Sequence, residues 1–286
     1  MKKTTLLALL AGMMLAGCSS DNVEDEMFNG QSSMVNGVNV TLHFTRFQIE
    51  QQSMTRAAVD VSEYITRLDI WLNDGETTTA YHQATGETGF GSLSVTLNKN
   101  KTYTMYAVAH KGSAAASMAD GVVTFPDDKV THTFFFSDSF QPTKNMAKVC
   151  PMDRIVAMFM LSTTDAVPAE VKKVRITLGN VFTRWNVAGY GVNAIDKVST
   201  ISITSTKSDG TVDLMTYGIT TNENTNHNVL VEALDASDAV VQTQTFENVP
   251  LRNGCRTVAT GNVFTDAPSS FSFTAEEWQD NTPISF

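Results

Sequence analysis

Residues 38–44, "VNVTLHF", alternate apolar and polar side chains without a break. Val38, Val40, Leu42 and Phe44 fall on one face, and Asn39, Thr41 and His43 on the other. That is the period of a strand with one face buried. The same signature recurs downstream. "RLDIWL" (67–72) puts Leu68, Ile70 and Leu72 on one face and Trp71 on the other, and it ends in the turn tripeptide Asn73-Asp74-Gly75. "SLSVTL" (92–97) repeats the pattern, and Asn98-Lys99-Asn100-Lys101 turns it into "TYTMYAVAH" (102–110). "VTHTFFF" (130–136) is a further strand.

A second series begins near Cys150. "RIVAMFML" (154–161) is almost continuously apolar, which fits a strand covered on both faces or a short buried helix, and its length favours the strand. "VKKVRITL" (171–178) alternates imperfectly. "TISITST" (200–206) and "TVDLMTYGI" (211–219) flank Ser208-Asp209-Gly210, a hairpin signal. "NVLVEAL" (228–234) and "VVQTQTF" (240–246) flank Asp235-Ala236-Ser237-Asp238, a second one. "TVATGNVF" (257–264) and "FSFTAEEW" (271–278) complete the series. No helical period of any length appears. About seven strands in each half predict an all-β chain of two tandem β-sandwiches. The expected boundary lies in "DSFQPTKNMAK" (138–148), giving sandwiches over 36–145 and 146–286.

The N-terminal end reads as an address. Lys2 and Lys3 precede an apolar run from Leu6 to Leu15 that is too short to span a bilayer. Leu15-Ala16-Gly17-Cys18 resembles a bacterial lipobox, which implies a signal peptide over 1–17, cleavage before Cys18 and a lipid on its sulfur. Residues 18–35 then read as an acidic, flexible tether carrying Asp21, Glu24, Asp25 and Glu26. Acidic residues close behind the lipidated cysteine resemble the surface-export signal of Bacteroidetes-type lipoproteins. The expected location is therefore the outer membrane, lipid-anchored and facing outward. With a formal charge of −10, nucleic acid is not an expected partner.

Catalytic constellations are not legible. The five histidines, His43, His82, His110, His132 and His227, never take metal-ligand spacing. Gly86, Gly89 and Gly91 do not form a dinucleotide fingerprint, and no Gly-x-Ser-x-Gly elbow occurs. Asp209 and Asp213 supply too few oxygens for a calcium loop. No cofactor, no metal and no enzymatic activity are expected. Cys150 and Cys255 are left as either a disulfide joining distant segments or two separate buried thiols. Trp185 and Tyr190 sit in "TRWNVAGYGV" (183–192), a loop-like segment whose rings either stack on a glycan or cap a sandwich.

Several segments in order resemble the fimbrillin-like fimbrial subunits of Bacteroidetes-type bacteria, above all the minor and anchor subunits. They are "YITRLDIWLND" (64–74), "KTYTMYAVAHKG" (101–112), "PMDRIVAMFMLSTTDAVPAEVKKVRITLGNVF" (151–182) and "TFENVPLRNGCRTVATGNVFT" (245–265). Cys255 departs from the pattern, where an aromatic residue is expected. The resemblance implies two transthyretin-like sandwiches, a lipidated fimbrial or pilus subunit, and assembly by strand addition with other fimbrial subunits after a protease cuts behind an arginine. A host or bacterial surface ligand is a further implied partner.

Arg56, in "QQSMTRAAVD" (51–60), is either an ordinary loop residue or that cut site, which would make Ala57 the new terminus. It follows the first strand and precedes the second, so a cut would detach lipid and strand together. Two further readings stay open beside the fimbrial one. These are a surface glycan-binding lipoprotein and, with no motif behind it, a hydrolase on a β scaffold.

Overall fold

The computed structural model describes residues 36–46, 65–265 and 271–277. The first half holds β1 (Gly37–Thr45), β2 (Arg67–Asn73), β3 (Thr78–Ala84), β4 (Ser92–Asn98), β5 (Tyr103–His110), β6 (Ser117–Ala119), β7 (Val122–Thr124) and β8 (Thr133–Phe140). After them come β9 (Met146–Pro151), β10 (Asp153–Arg154), β11 (Ala157–Thr163), β12 (Lys173–Asn186) and β13 (Tyr190–Ser202). The chain continues with β14 (Asp213–Gly218), β15 (Thr225–Leu234), β16 (Val240–Leu251), β17 (Cys255–Gly261) and β18 (Ser272–Glu277). Among the described residues the only helical element is a 3-10 turn at Pro126–Asp128. The chain is all-β, as the alternation predicts.

Four sheets stack in pairs. In the first sandwich, β4-β1-β9 faces β10-β8-β5-β2-β3. Val40, Leu42 and Phe44 from β1 meet Leu68, Ile70 and Leu72 from β2 and Met105, Ala107 and Ala109 from β5. In the second, β14-β11-β17-β18 faces the sheet built on β12, β15 and β16. Its core joins Phe159 and Leu161 to Val174, Ile176 and Leu178 and to Val229, Val231 and Ala233.

A third apolar cluster lies on the opposite face of β2 and β5. Trp71 and Val108 meet Val123, Phe125, Ile155, Val156, Trp185 and Ile219 there. The face of Trp71 is therefore a contact rather than a solvent face, and it covers the back of the first sandwich. Phe134 and Phe135, adjacent on β8, divide between the first core and this cluster.

Three local expectations change. Strands β9 and β10 fall beyond residue 145, yet they pair with β1 and β8, and β7 pairs with β12 of the second half. Each half thus lends strands to the other, which the apolar periods of single segments cannot reveal. Ser208-Asp209-Gly210 does make a local turn, with the Gly210 N–H donating to the Lys207 carbonyl at 2.9 Å. It does not close a hairpin, because β13 pairs with β12 and β14 with β11. The apolar residues Val212 and Leu214 belong to the core of the other sheet and draw the chain across. Finally, "TRWNVAGYGV" is mostly strand. β12 and β13 form a long hairpin with a bulge between Leu178 and Val181, closed by a turn at Gly189, whose φ is +99°.

Candidate strand-exchange site

β1 lies in the middle of its sheet. It runs antiparallel to β4 from Gly37↔Asn98 to His43↔Ser92, and parallel to β9 from Val40↔Met146 to Thr45↔Pro151. Both backbone edges are therefore in ladders. Inward-facing Val40, Leu42 and Phe44 are at most 1% exposed, and burying three such side chains is worth about 5–9 kcal/mol. Outward-facing Thr41 and Asn39 bond across to Ser94 and Thr96, each at 3.1 Å, and the Asn39 N–H reaches Asn145 Oδ1 at 2.8 Å.

Withdrawing β1 would leave β4 and β9 as facing edges one strand apart. The floor would be Leu68, Ile70, Met105 and Ala107 of the opposite sheet. Unpaired N–H and C=O groups on two facing edges template an incoming strand, and alternate pockets select its side chains.

Cys18, Arg56 and Ala57 lie outside the described residues. By position, Arg56 falls between β1 and β2, so scission there severs β1 from everything that follows. Cys150 lies on β9 beside Phe44, in the wall of this site. It is free and fully buried, and burial pushes its thiol up to about 11 against the opposing effect of Lys148. Cys255, on β17, is also free and buried, and it accepts hydrogen bonds from Arg252 Nε and Nη2 at 3.0 and 2.9 Å. Of the two arrangements the sequence leaves open, the structure holds separate thiols, one in each sandwich. Phe44→Ala should speed alkylation of Cys150 by tenfold or more, since it removes the ring beside the thiol and weakens β1. An unchanged rate, read by mass spectrometry, would mean that β1 does not control access to this wall.

Trp185 is not available as a sugar platform. It is 3% exposed on β12, packed on Phe135 at 5.7 Å between centroids. The alternation of β12 turns Val181, Thr183 and Trp185 inward together. Tyr190, at the start of β13, is 54% exposed. His43 is exposed and His132 and His227 are buried apart from one another, while His82 and buried His110 meet on one carboxylate, that of Asp69. Among the described residues no His/Cys/Asp/Glu group has metal-holding geometry.

Two buried charged groups carry no local signal in the sequence. Asp69, fully buried on β2, bonds His82 Nδ1 at 2.7 Å and His110 Nε2 at 2.9 Å, and it accepts the Ala116 N–H at 2.8 Å. Lys197, buried on β13, reaches the hydroxyls of Ser199 at 3.2 Å and Thr216 at 3.4 Å and, among the described residues, no carboxylate. Burial first, and Lys129 second, bring its amine down to about 8.

The folded amine thus loses its proton near pH 8, while the unfolded one holds it to about 10.5. The cost to the fold is complete below the lower value and fades as pH rises to the upper one. Lys197→Met should therefore stabilise the fold at neutral pH by up to about 3 kcal/mol. That gain, measured by denaturant unfolding, should vanish above about pH 10.5. A gain independent of pH would refute this account.

The fold has known counterparts. A candidate cell adhesion protein from Bacteroides eggerthii is 11% identical, with a TM-score of 0.50 over 87% of this chain and 98% of that one. Proteins from Bacteroides thetaiotaomicron described as candidate polysaccharide binding proteins (DUF1812) are 10% identical, with a TM-score of 0.49 over 85% of this chain and 99% of that one. The tip fimbrial protein Mfa3 from Porphyromonas gingivalis is 8% identical, with a TM-score of 0.45 over 85% of this chain and 100% of that one. No curated protein matches the sequence. The model of a family of unknown function, DUF6562, matches residues 31–281, and the chain belongs to that family.

Proposed function

We propose that this chain is a cell-surface fimbrial subunit, a minor or anchor one, held at the outer membrane by lipid on Cys18 and joined to neighbouring subunits by β-strand addition. The observation that carries the reading is the place of β1, central in its sheet: an uncut copy keeps β1 and the lipid of an anchor, and one cut in the stretch that holds Arg56 would remove both and open the groove of a polymerising subunit. The shared fold of the Bacteroides eggerthii candidate cell adhesion protein supports a surface role. The protein acts by binding, with other fimbrial subunits and a surface ligand as partners, and not by catalysis.

N-terminal sequencing and mass measurement of the chain taken from the native cell surface, with its co-purifying proteins, test the reading. A chain beginning at Ala57 in fibres is a polymerising subunit. A chain that keeps acylated Cys18 and co-purifies with fibres is an anchor. A surface chain associated with no fibre protein would overturn the proposal.

A further inference from the structure

We propose that the cavity between the 111–113 loop and the 126–131 turn binds a carboxylated sugar, a uronate-type unit. The proposal does not depend on the fimbrial reading, and it lies away from the β4–β9 groove in the chain's own terms: neither β4 nor β9 lines it.

The cavity has a volume of about 350 Å³, within the range of small-ligand sites. One wall is a loop braced at both ends and at Lys111, Gly112 and Ser113. Asp69 Oδ2 holds both ends, through His110 Nε2 and the Ala116 N–H. The Thr66 hydroxyl accepts the Gly112 N–H at 2.9 Å and donates to the Gly112 carbonyl at 2.7 Å. The Thr131 hydroxyl does the same for Lys111, at 3.1 and 2.9 Å. Arg67 Nη2 donates to the Ser113 carbonyl at 2.7 Å. Surface loops are ordinarily mobile, and a loop tied this way is a preorganised wall.

The opposite wall carries Asp127, which lies with its neighbour Asp128 consecutively in the left-handed region, at φ 57° and 50°. Such backbone is uncommon for residues other than glycine and clusters at functional sites. Asp128 is taken up by Arg184, at 3.0 and 3.3 Å. Asp127 is exposed and lines the cavity.

Charge then selects the ligand. The chain carries −10 overall, yet Lys111 and Lys129 both line this cavity. Their field reaches inward. Lys129 contributes to lowering the amine of buried Lys197, and Lys111, after burial and Arg154, contributes to lowering His132. A positive cavity on an acidic protein favours an anion. Asp127 at the rim disfavours a compact dianion such as phosphate and accepts hydrogen bonds from neutral hydroxyls. A ring bearing one carboxylate and several hydroxyls satisfies both demands, with Pro126 as an apolar surface beneath it.

The test is titration of the intact protein, followed by NMR, with glucuronate, glucose, acetate and inorganic phosphate. Lys129→Gln and Asp127→Asn serve as variants. Both residues are exposed, and asparagine tolerates the left-handed backbone at position 127, so unchanged melting curves can verify folding. The expected result is glucuronate binding at least tenfold tighter than glucose, reduced about tenfold by Lys129→Gln and several-fold by Asp127→Asn. Acetate or phosphate binding as tightly as glucuronate would overturn the sugar assignment. No saturable glucuronate binding, or binding unaffected by both variants, would overturn the site itself.

Discussion

Cutting the chain after Arg56 and washing away the N-terminal piece should cost the first sandwich more stability than any single substitution. The lost burial of Val40, Leu42 and Phe44 alone is worth about 5–9 kcal/mol. Domain stabilities are commonly about 5–15 kcal/mol, so the opened form should be marginal. It should bind a strand or self-associate, and gel filtration distinguishes these from a stable monomer. A synthetic peptide with the β1 sequence GVNVTLHFT should restore the denaturation midpoint and protect Cys150. The same peptide with aspartate at the Leu42 and Phe44 positions should do neither, because it cannot fill the inward pockets. A cut protein that keeps its midpoint without the peptide would show that β1 is dispensable.

Asp69→Ala should destabilise the intact protein by about 2 kcal/mol or more, because each buried donor left without its acceptor costs about 1–3 kcal/mol. The arithmetic is structural. His110 is 1% exposed and would lose its carboxylate, and the Ala116 N–H would lose its acceptor. Asp69→Asn should cost less, since the amide oxygen still accepts one of these bonds. Equal unfolding midpoints for wild type and Asp69→Ala would contradict the role assigned to the carboxylate. In the Asn variant, a loosened 111–116 loop should also weaken glucuronate binding, linking the fold to the proposed sugar site.

What the sequence disclosed followed from local physics. The alternation at 38–44, 67–72 and 92–97 marks β1, β2 and β4, and Asn73-Asp74-Gly75 and Asp235–Asp238 mark true hairpins, because period and turn chemistry act over a few residues. Pairing is another matter. β1 joins β9 across about a hundred residues, and nothing in either segment names the other. Residues 183–192, the tip of the β12–β13 hairpin, look loop-like in sequence because the Gly189 turn interrupts the alternation there. Of the two roles that the sequence leaves open for Trp185, the packed one is what the structure holds. Asp69 looks like an ordinary polar strand residue until β3 and β5 bring His82 and His110 to it. The cavity between two distant loops had no sequence signal at all.

The mixed polarity around β1 has a consequence for symmetry. A strand that reproduces both ladders must run antiparallel to β4 and parallel to β9, so it can enter in one direction only. A subunit that has lost β1 to a cut can offer a neighbour only some other segment, so donor and acceptor surfaces differ. Such a contact closes as a twofold pair only where two copies exchange segments reciprocally; run head to tail, it is heterologous. Unless its rotation happens to complete a ring, it repeats into an open helical array. An uncut copy, with β1 in place, has no acceptor to offer and terminates that array at one defined end.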